Sequence, residues 1–287
     1  MNSSTMNPSF FIAAGAGGLP KLTLASASGS RAEVYLHGAT VVSWQPAGDT
    51  ERLFLSRVSR FGPGEAIRGG VPLVFPQFGT LGPLRQHGFA RRMPWGFVGA
   101  ATSGEVITAT LRLQDSEETR RDWPHRFLAE LIVSLGGREL AITLAITNTD
   151  DEPFTFTAAL HTYLAVADLA EARVEGLAGL RYRDHTAGGT EAQQVSAQVD
   201  FSGQVDRLYL NTPAELRLVE AARTTVIRSA GFPDAVVWNP GAGKCAAMAD
   251  LEPGDYRRYV CVEAAAAGAP VALAPGERWQ GTQTLVA

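Results

Sequence analysis

The chain is poor in several things, and each shortage excludes a class of protein. Two cysteines, Cys245 and Cys261, stand among 287 residues, too few for a disulfide framework and suited to a reducing compartment. No stretch approaches ~20 uninterrupted apolar residues, so no membrane-spanning helix is expected. A signal-like run, Phe10-Phe11-Ile12-Ala13-Ala14, has no Lys or Arg before it and stops at Gly15, too short and too bare for a secretory leader. Basic excess is also missing: 25 Lys and Arg face 29 Asp and Glu, which argues against nucleic acid as a partner. The five histidines, at 37, 87, 125, 161 and 185, show neither H-x-H nor H-E-x-x-H spacing, so no metal site is expected. There is no G-x-S-x-G elbow. Gly241-Ala242-Gly243-Lys244-Cys245 lacks both the first glycine and the hydroxyl residue of a P-loop.

What is present is apolar content of 45%, enough for a buried core and too much for disorder. Its periodicity is two rather than 3.6. Apolar residues alternate through Glu105–Leu113, Arg126–Leu135 and Arg138–Thr147, the pattern of half-buried antiparallel strands, with Gly136-Gly137 as a hairpin turn. Further strands are predicted at Lys21–Ser26, Ala32–His37, Thr40–Trp44, Phe154–Ala159, Leu216–Glu220, Thr224–Arg228, Ala235–Trp238, Tyr259–Glu263 and Trp279–Val286. Helical signal is confined to Ser116–Asp122, capped by Ser116 and ended by Trp123-Pro124. Many short strands with Gly- and Pro-rich turns describe an all-β sandwich or barrel with few short helices. Residues 1–20, rich in Ser, Asn, Gly and Ala, read as a flexible tail, and residues 21–287 as one domain. One long irregular stretch, Arg57–Pro94, interrupts the strands, and long structured loops in compact domains are usually functional.

Segments of unusual content remain: Arg68-Gly69-Gly70-Val71-Pro72, Gln86-His87-Gly88-Phe89-Ala90-Arg91 and Leu160-His161-Thr162-Tyr163, with Val205-Asp206-Arg207, Val260-Cys261-Val262-Glu263, Trp238-Asn239-Pro240 and Met248-Ala249-Asp250. In order and spacing, from about residue 20 onward, they resemble the hexose-6-phosphate mutarotases (glucose-6-phosphate 1-epimerases) of the aldose 1-epimerase superfamily. The resemblance implies a large antiparallel β-sandwich of the galactose mutarotase-like supersandwich kind. It implies His161 as general acid and Glu263 as general base. Arg68 and Arg91 would bind phosphate, Gln86 and Asp206 would contact the sugar, and His87 would line the same pocket. It further implies a hexose 6-phosphate as substrate, no cofactor, a cytoplasmic place, and a monomer or weak homodimer. One departure stands out. Many members follow the glutamate with Pro-Gly, whereas Glu263 is followed by Ala264-Ala265-Ala266-Ala267, which puts the shape of the loop there in question.

The residue types suit the chemistry. Exchanging anomers needs a proton removed from the anomeric hydroxyl and another delivered to the ring oxygen. A histidine and a carboxylate supply such a pair near neutral pH. Arginine's planar fork suits a phosphate. Each residue taken alone has a plainer reading: His161 as a hydrogen-bonded core residue, Glu263 as a solvated strand end, Arg68 and Arg91 as structural ion pairs, Asp206 as part of a solvated loop. Two other functions stay open, a mutarotase for unphosphorylated aldoses and a carbohydrate-binding module without catalysis.

Overall fold

The structure, a computed structural model, describes residues 7–287. Strands dominate it, and every strand pairing within its sheets is antiparallel. The clean alternation over residues 105–147 gives the strands Val106–Gln114, Phe127–Gly136 and Glu139–Asn148, paired in sequence. They belong to a nine-stranded sheet. Its inner strand Arg278–Val286 lies between Glu139–Asn148 and Thr224–Ala230. An eight-stranded sheet runs from Thr190–Gln193 through Arg181–Asp184, Val205–Tyr209, Asp234–Asn239, Tyr259–Leu273 and Phe154–Leu160 to Leu73–Val74, and Tyr163–Ala165 also pairs with Tyr259–Leu273. A four-stranded sheet takes the first strands in chain order.

The two large sheets share a core. Val260, Val262, Ala264 and Ala266 of the eight-stranded sheet join one buried apolar cluster with Leu131, Val133, Leu140 and Ile142 of the nine-stranded sheet. Because side chains alternate across a strand, the residues between them, Tyr259, Cys261, Glu263 and Ala265, face the opposite side. That second face has its own cluster, with Phe54, Tyr163, Trp238 and Tyr259. The predicted short helix is present at Glu117–Asp122. Ser116 Oγ accepts from the Thr119 amide, and Thr119 Oγ1 accepts from the Ser116 amide.

Two expectations are corrected. The expected flexible tail over residues 1–20 is not what residues 9–20 form: Ser9–Ala14 is a strand paired along its length with Pro20–Ala25, while Met1–Met6 lie outside the described residues. Phe10, Phe11 and Ile12 favour extended backbone, and the Phe10 ring sits 5.6 Å from that of Phe97. The second correction concerns Glu263, which does not end a strand. Tyr259–Leu273 continues through the alanine run, and Ala264–Ala267 are buried between Phe154–Leu160 and Asp234–Asn239. No separate loop follows the glutamate. Alanines fit there because both faces of this inner strand are covered, leaving little room for larger side chains.

Beyond Ala266 the register against Phe154–Leu160 shifts. Asp234 holds that irregularity: its Oδ2 accepts from the amides of Ala267 at 3.1 Å and Gly268 at 2.7 Å, and its Oδ1 from that of Asn211 at 3.3 Å. Asp234→Ala is expected to lower stability by about 2 kcal/mol, because it strands buried amide donors. Urea unfolding midpoints measure this, and an unchanged midpoint would show that water replaces the carboxylate without loss.

Candidate functional site

Sheet register alone assembles half the site. Residues directly opposite in antiparallel strands share a face with their Cβ atoms about 4.5–5.5 Å apart. Arg183 pairs with Leu208, Leu208 with Val236, and Val236 with Glu263. The pairing of Leu160 with Ala264 and of Tyr163 with Cys261 brackets His161, which falls opposite Glu263. His161 is therefore not inside a strand but in a two-residue break between Phe154–Leu160 and Tyr163–Ala165. A neighbouring row carries Asp206, Trp238, Cys261 and Tyr163. The predicted acid, base and sugar contact thus reach one surface from three separate parts of the chain.

The other half comes from Arg57–Pro94, which holds the short strand Leu73–Val74, several isolated bridges and a 3-10 turn at Ala90–Arg92. Two glycines fix its path. Gly70 and Gly88 have φ of +64° and +68°, and an added Cβ would lie 2.0 Å from the Val41 carbonyl oxygen or 2.2 Å from that of Phe75. No other residue combines that φ with so close a backbone approach. Gln77 staples the tip: its Oε1 accepts from the Leu84 amide, while its Nε2 donates to the carbonyls of Gly79 and Leu84. His87 also sits at positive φ, +66°, an uncommon state that clusters at functional sites.

Together these elements enclose a cavity of about 630 Å³, within the range of small-molecule sites. Arg68, Gln86, His87, Arg91, His161, Asp206 and Glu263 all line it. His161 Nε2 lies 3.4 Å from Glu263 Oε1, and the two residues are 7% and 2% exposed. His161 stacks on Tyr163 at 4.8 Å with 11° between the planes, and the Trp238 ring meets it edge-on. The Tyr163 hydroxyl accepts from Arg68 Nη1 at 2.9 Å, and Arg68 Nε donates to Asp250 Oδ2 at 3.0 Å. Arg68 is thus committed to two partners and braces the ring on which His161 rests. Arg91, 8% exposed, donates from Nη2 to the Gln86 carbonyl, and its Nε has no partner. His161 Nδ1 and Glu263 Oε2 are likewise buried without a partner. Unpaired polar atoms are rare in protein interiors and call for a functional reason.

Burial governs the charges. It pushes the Glu263 carboxyl well above its usual range, Asp206 adds to the rise, and Arg91 opposes it. It pushes His161 well below its usual range, and the fields of His87, Arg91 and Arg68 act in the same direction. Both shifts favour the uncharged forms, so the pair resists full charge separation. Burial, Arg91 and Arg68 push His87 down to about 3. Its Nδ1 accepts from the Gly79 amide at 3.2 Å, so the neutral ring keeps its proton on Nε2, a donor that does not titrate near neutral pH.

Several lining residues escaped the sequence reading. Arg183 and His185 sit at the end of a short strand in a segment without alternation, and Gly188 and Gly189 follow them. Lys244 comes from Gly241–Ala246, the failed P-loop, which folds as a helix and sets its ammonium 5.9 Å from the Trp238 ring. Asp250 belongs to a segment noted as a landmark, but its grip on Arg68 has no local signature.

Residues 20–286 match the aldose 1-epimerase family. A provisionally named glucose-6-phosphate 1-epimerase from Cenchrus ciliaris is 41% identical over 280 residues, covering 94% of this chain and 85% of the relative. One of the same provisional name from Escherichia coli is 36% identical over 240 residues, covering 82% and 79%. The crystal structure of a provisionally named mutarotase from Salmonella typhimurium superposes with a TM-score of 0.87 at 33% identity, covering 93% of this chain and 90% of that one. With a family match across nearly its whole length, and His161, Glu263, Arg68 and Arg91 lining one cavity, the chain belongs to the aldose 1-epimerase family.

Proposed function

We propose that the protein interconverts the α and β anomers of hexose 6-phosphates, glucose 6-phosphate first among them. The observation that carries this reading is the buried pair of His161 and Glu263, 3.4 Å apart, in one cavity with the unsaturated guanidinium of Arg91. The relatives named for glucose 6-phosphate support the substrate.

In the proposed reaction Glu263 takes the proton of the anomeric hydroxyl while His161 gives one to the ring oxygen. The C1–O5 bond breaks, and an aldehyde and a hydroxyl form. Rotation about C1–C2 presents the other carbonyl face. The hydroxyl proton then returns to His161, the bond re-forms, and Glu263 delivers its proton to the new anomeric oxygen. Only protons move, and each group acts once as acid and once as base. The shared proton sits on His161 for ring opening and on Glu263 for closure. Arg91 pulls Glu263 back toward ionisation and also opposes imidazolium at His161. His87 Nε2–H is a fixed neutral donor for a sugar oxygen, Asp206 and Gln86 are further polar partners, and Trp238 offers an apolar face.

Arg91 is the main phosphate ligand in this reading, and Arg68 adds the N–H groups that Asp250 and Tyr163 leave free. The reading takes the protein to act as a monomer or weak homodimer. Two buried, unpaired cysteines are in keeping with a cytoplasmic place. Among the described residues, no helix is long and apolar enough to cross a membrane.

Saturation-transfer NMR tests the reading. With catalytic amounts of enzyme, exchange between the anomers of glucose 6-phosphate is expected well above the spontaneous rate, and exchange on free glucose is expected near it. Exchange confined to free glucose would move both arginines to structural roles. Absence of exchange on either would overturn the enzyme reading.

A further inference from the structure

We propose that His185, in the wall opposite the arginines, is a positioning residue that holds Asp206 as the acceptor for sugar hydroxyls and sets the charge of that wall. The inference rests on the mutarotase reading of the same cavity and adds to it a residue that the family pattern did not supply.

The geometry begins with register. Asp184 pairs with Arg207 at the end of Arg181–Asp184, so the next residue, His185, falls beside Asp206. The chain there is fixed by local bonds. Asp184 Oδ1 accepts from the Thr186 amide at 2.9 Å, the Gly189 amide donates to the Asp184 carbonyl at 2.8 Å, and Gly188 closes the turn at φ +71°. From this turn the imidazole meets Asp206, with Nδ1 and Oδ1 3.1 Å apart. Both residues line the cavity and both are partly exposed. One carboxylate oxygen is thereby anchored, and Oδ2 has no side-chain or backbone partner among the described residues. A carboxylate gripped at one oxygen presents the other in a fixed direction, which lowers the ordering cost of accepting a substrate hydroxyl.

The pair also carries a charge that can change. The groups acting on His185 are Asp206 across the pairing and Asp184 and Arg183 from the strand before it, with burial opposing the carboxylates. The two carboxylates outweigh Arg183, whose Nε lies 3.7 Å from Glu191, and they raise the imidazole above its ordinary value of 6.5. Below that pKa, imidazolium neutralises Asp206. Above it, the bare Asp206 charge repels a phosphate that is itself mostly dianionic. It also adds to the field holding the Glu263 proton. The expected sign is a KM for glucose 6-phosphate that rises as pH climbs through the His185 pKa.

The test uses the intact chain and two readouts. The first is the titration of the His185 ring by NMR. Its midpoint is expected above 6.5 in the wild type and lower in Asp206→Asn, and an unchanged midpoint would overturn the pairing. The second is steady-state anomer exchange. His185→Ala is expected to raise KM for glucose 6-phosphate about 5- to 10-fold, the scale of one partly exposed charge-assisted bond, with kcat nearly constant. His185→Asn keeps an amide donor near the Nδ1 position but cannot titrate. It is expected to restore most of the KM and to lose the pH-dependent rise. A KM in His185→Ala equal to the wild type, or the same pH step in His185→Asn, would overturn the proposal while leaving the mutarotase reading standing. A wild type without exchange would overturn that reading, and the recognition role with it, while the ring titration would still report whether the pair exists.

Discussion

Glu263→Gln is expected to lower the rate of glucose 6-phosphate anomer exchange by about 10²–10⁴-fold, the usual worth of a positioned proton acceptor. Glutamine keeps the shape and the burial, so folding is expected to survive, and removing a buried carboxyl need not destabilise. The loss should fall on kcat more than on KM, because the amide can still touch the anomeric hydroxyl but cannot take its proton. His161→Asn should lose a similar factor, and the double variant little more, because the two act as one device. The wild-type pH profile carries a second signature. The active pair holds one proton. It gains a second only well below pH 6.5, because burial and the Arg68 and Arg91 charges oppose imidazolium. It loses its only proton well above pH 4.5, because burial and Asp206 oppose carboxylate. Activity should therefore pass through a level region and fall on both sides of it. A folded Glu263→Gln with wild-type turnover would dismiss the acid–base assignment.

Arg91→Ala is expected to raise KM for glucose 6-phosphate by about 10- to 100-fold, since a charge-assisted bond in a largely dry site contributes about 1.5–3 kcal/mol. Residual exchange on free glucose, if any is measurable, should change far less. The contrast matters because Arg91 also acts on His161 and Glu263. Without it, His161 is less depressed and Glu263 rises further, so the acid limb of the profile should move to higher pH. An equal loss on phosphorylated and free sugar would assign Arg91 to the pair rather than to the phosphate. Arg91→Lys separates charge from shape: it keeps the cation but loses the fork, and recovery should be partial. Arg68→Ala is a poorer probe of the phosphate, because it frees Asp250 and removes the hydroxyl partner of Tyr163, against which His161 stacks.

How legible all this was depended on how each residue announces itself. Val106–Gln114, Phe127–Gly136 and Glu139–Asn148 were plain because one face is core and the other is water, which writes alternation into the sequence. Arg181–Asp184 and Val205–Tyr209 were not predicted as strands, because their second face lines a polar cavity and both registers carry charged residues. Tyr259–Leu273 was predicted at a third of its length, since alanine has little strand preference of its own and only burial on both faces holds the run extended. Ser9–Ala14 was lost among small residues although Phe10-Phe11-Ile12 carried the signal. In the site, all seven candidates carried by the recurring segments line the cavity. His185, Arg183 and Lys244 did not stand out, since their roles depend on neighbours brought in by pairing rather than on nearby sequence. The break at His161-Thr162 is of the same kind: local propensity continues the strand, and only the packing interrupts it.

The order in which the chain is made bears on how it must fold. Both large sheets receive an inner strand late: Tyr259–Leu273 between Asp234–Asn239 and Phe154–Leu160, and Arg278–Val286 between Thr224–Ala230 and Glu139–Asn148. Until those two strands are made, the strands that will flank them lack the partner that joins them. Unpaired edges invite pairing with the wrong chain. Closure also waits on contacts of long sequence separation, which makes folding slow. A protein built this way joins its eight-stranded sheet only when Tyr259–Leu273, the strand that carries Glu263, is made, and its nine-stranded sheet later still, with Arg278–Val286.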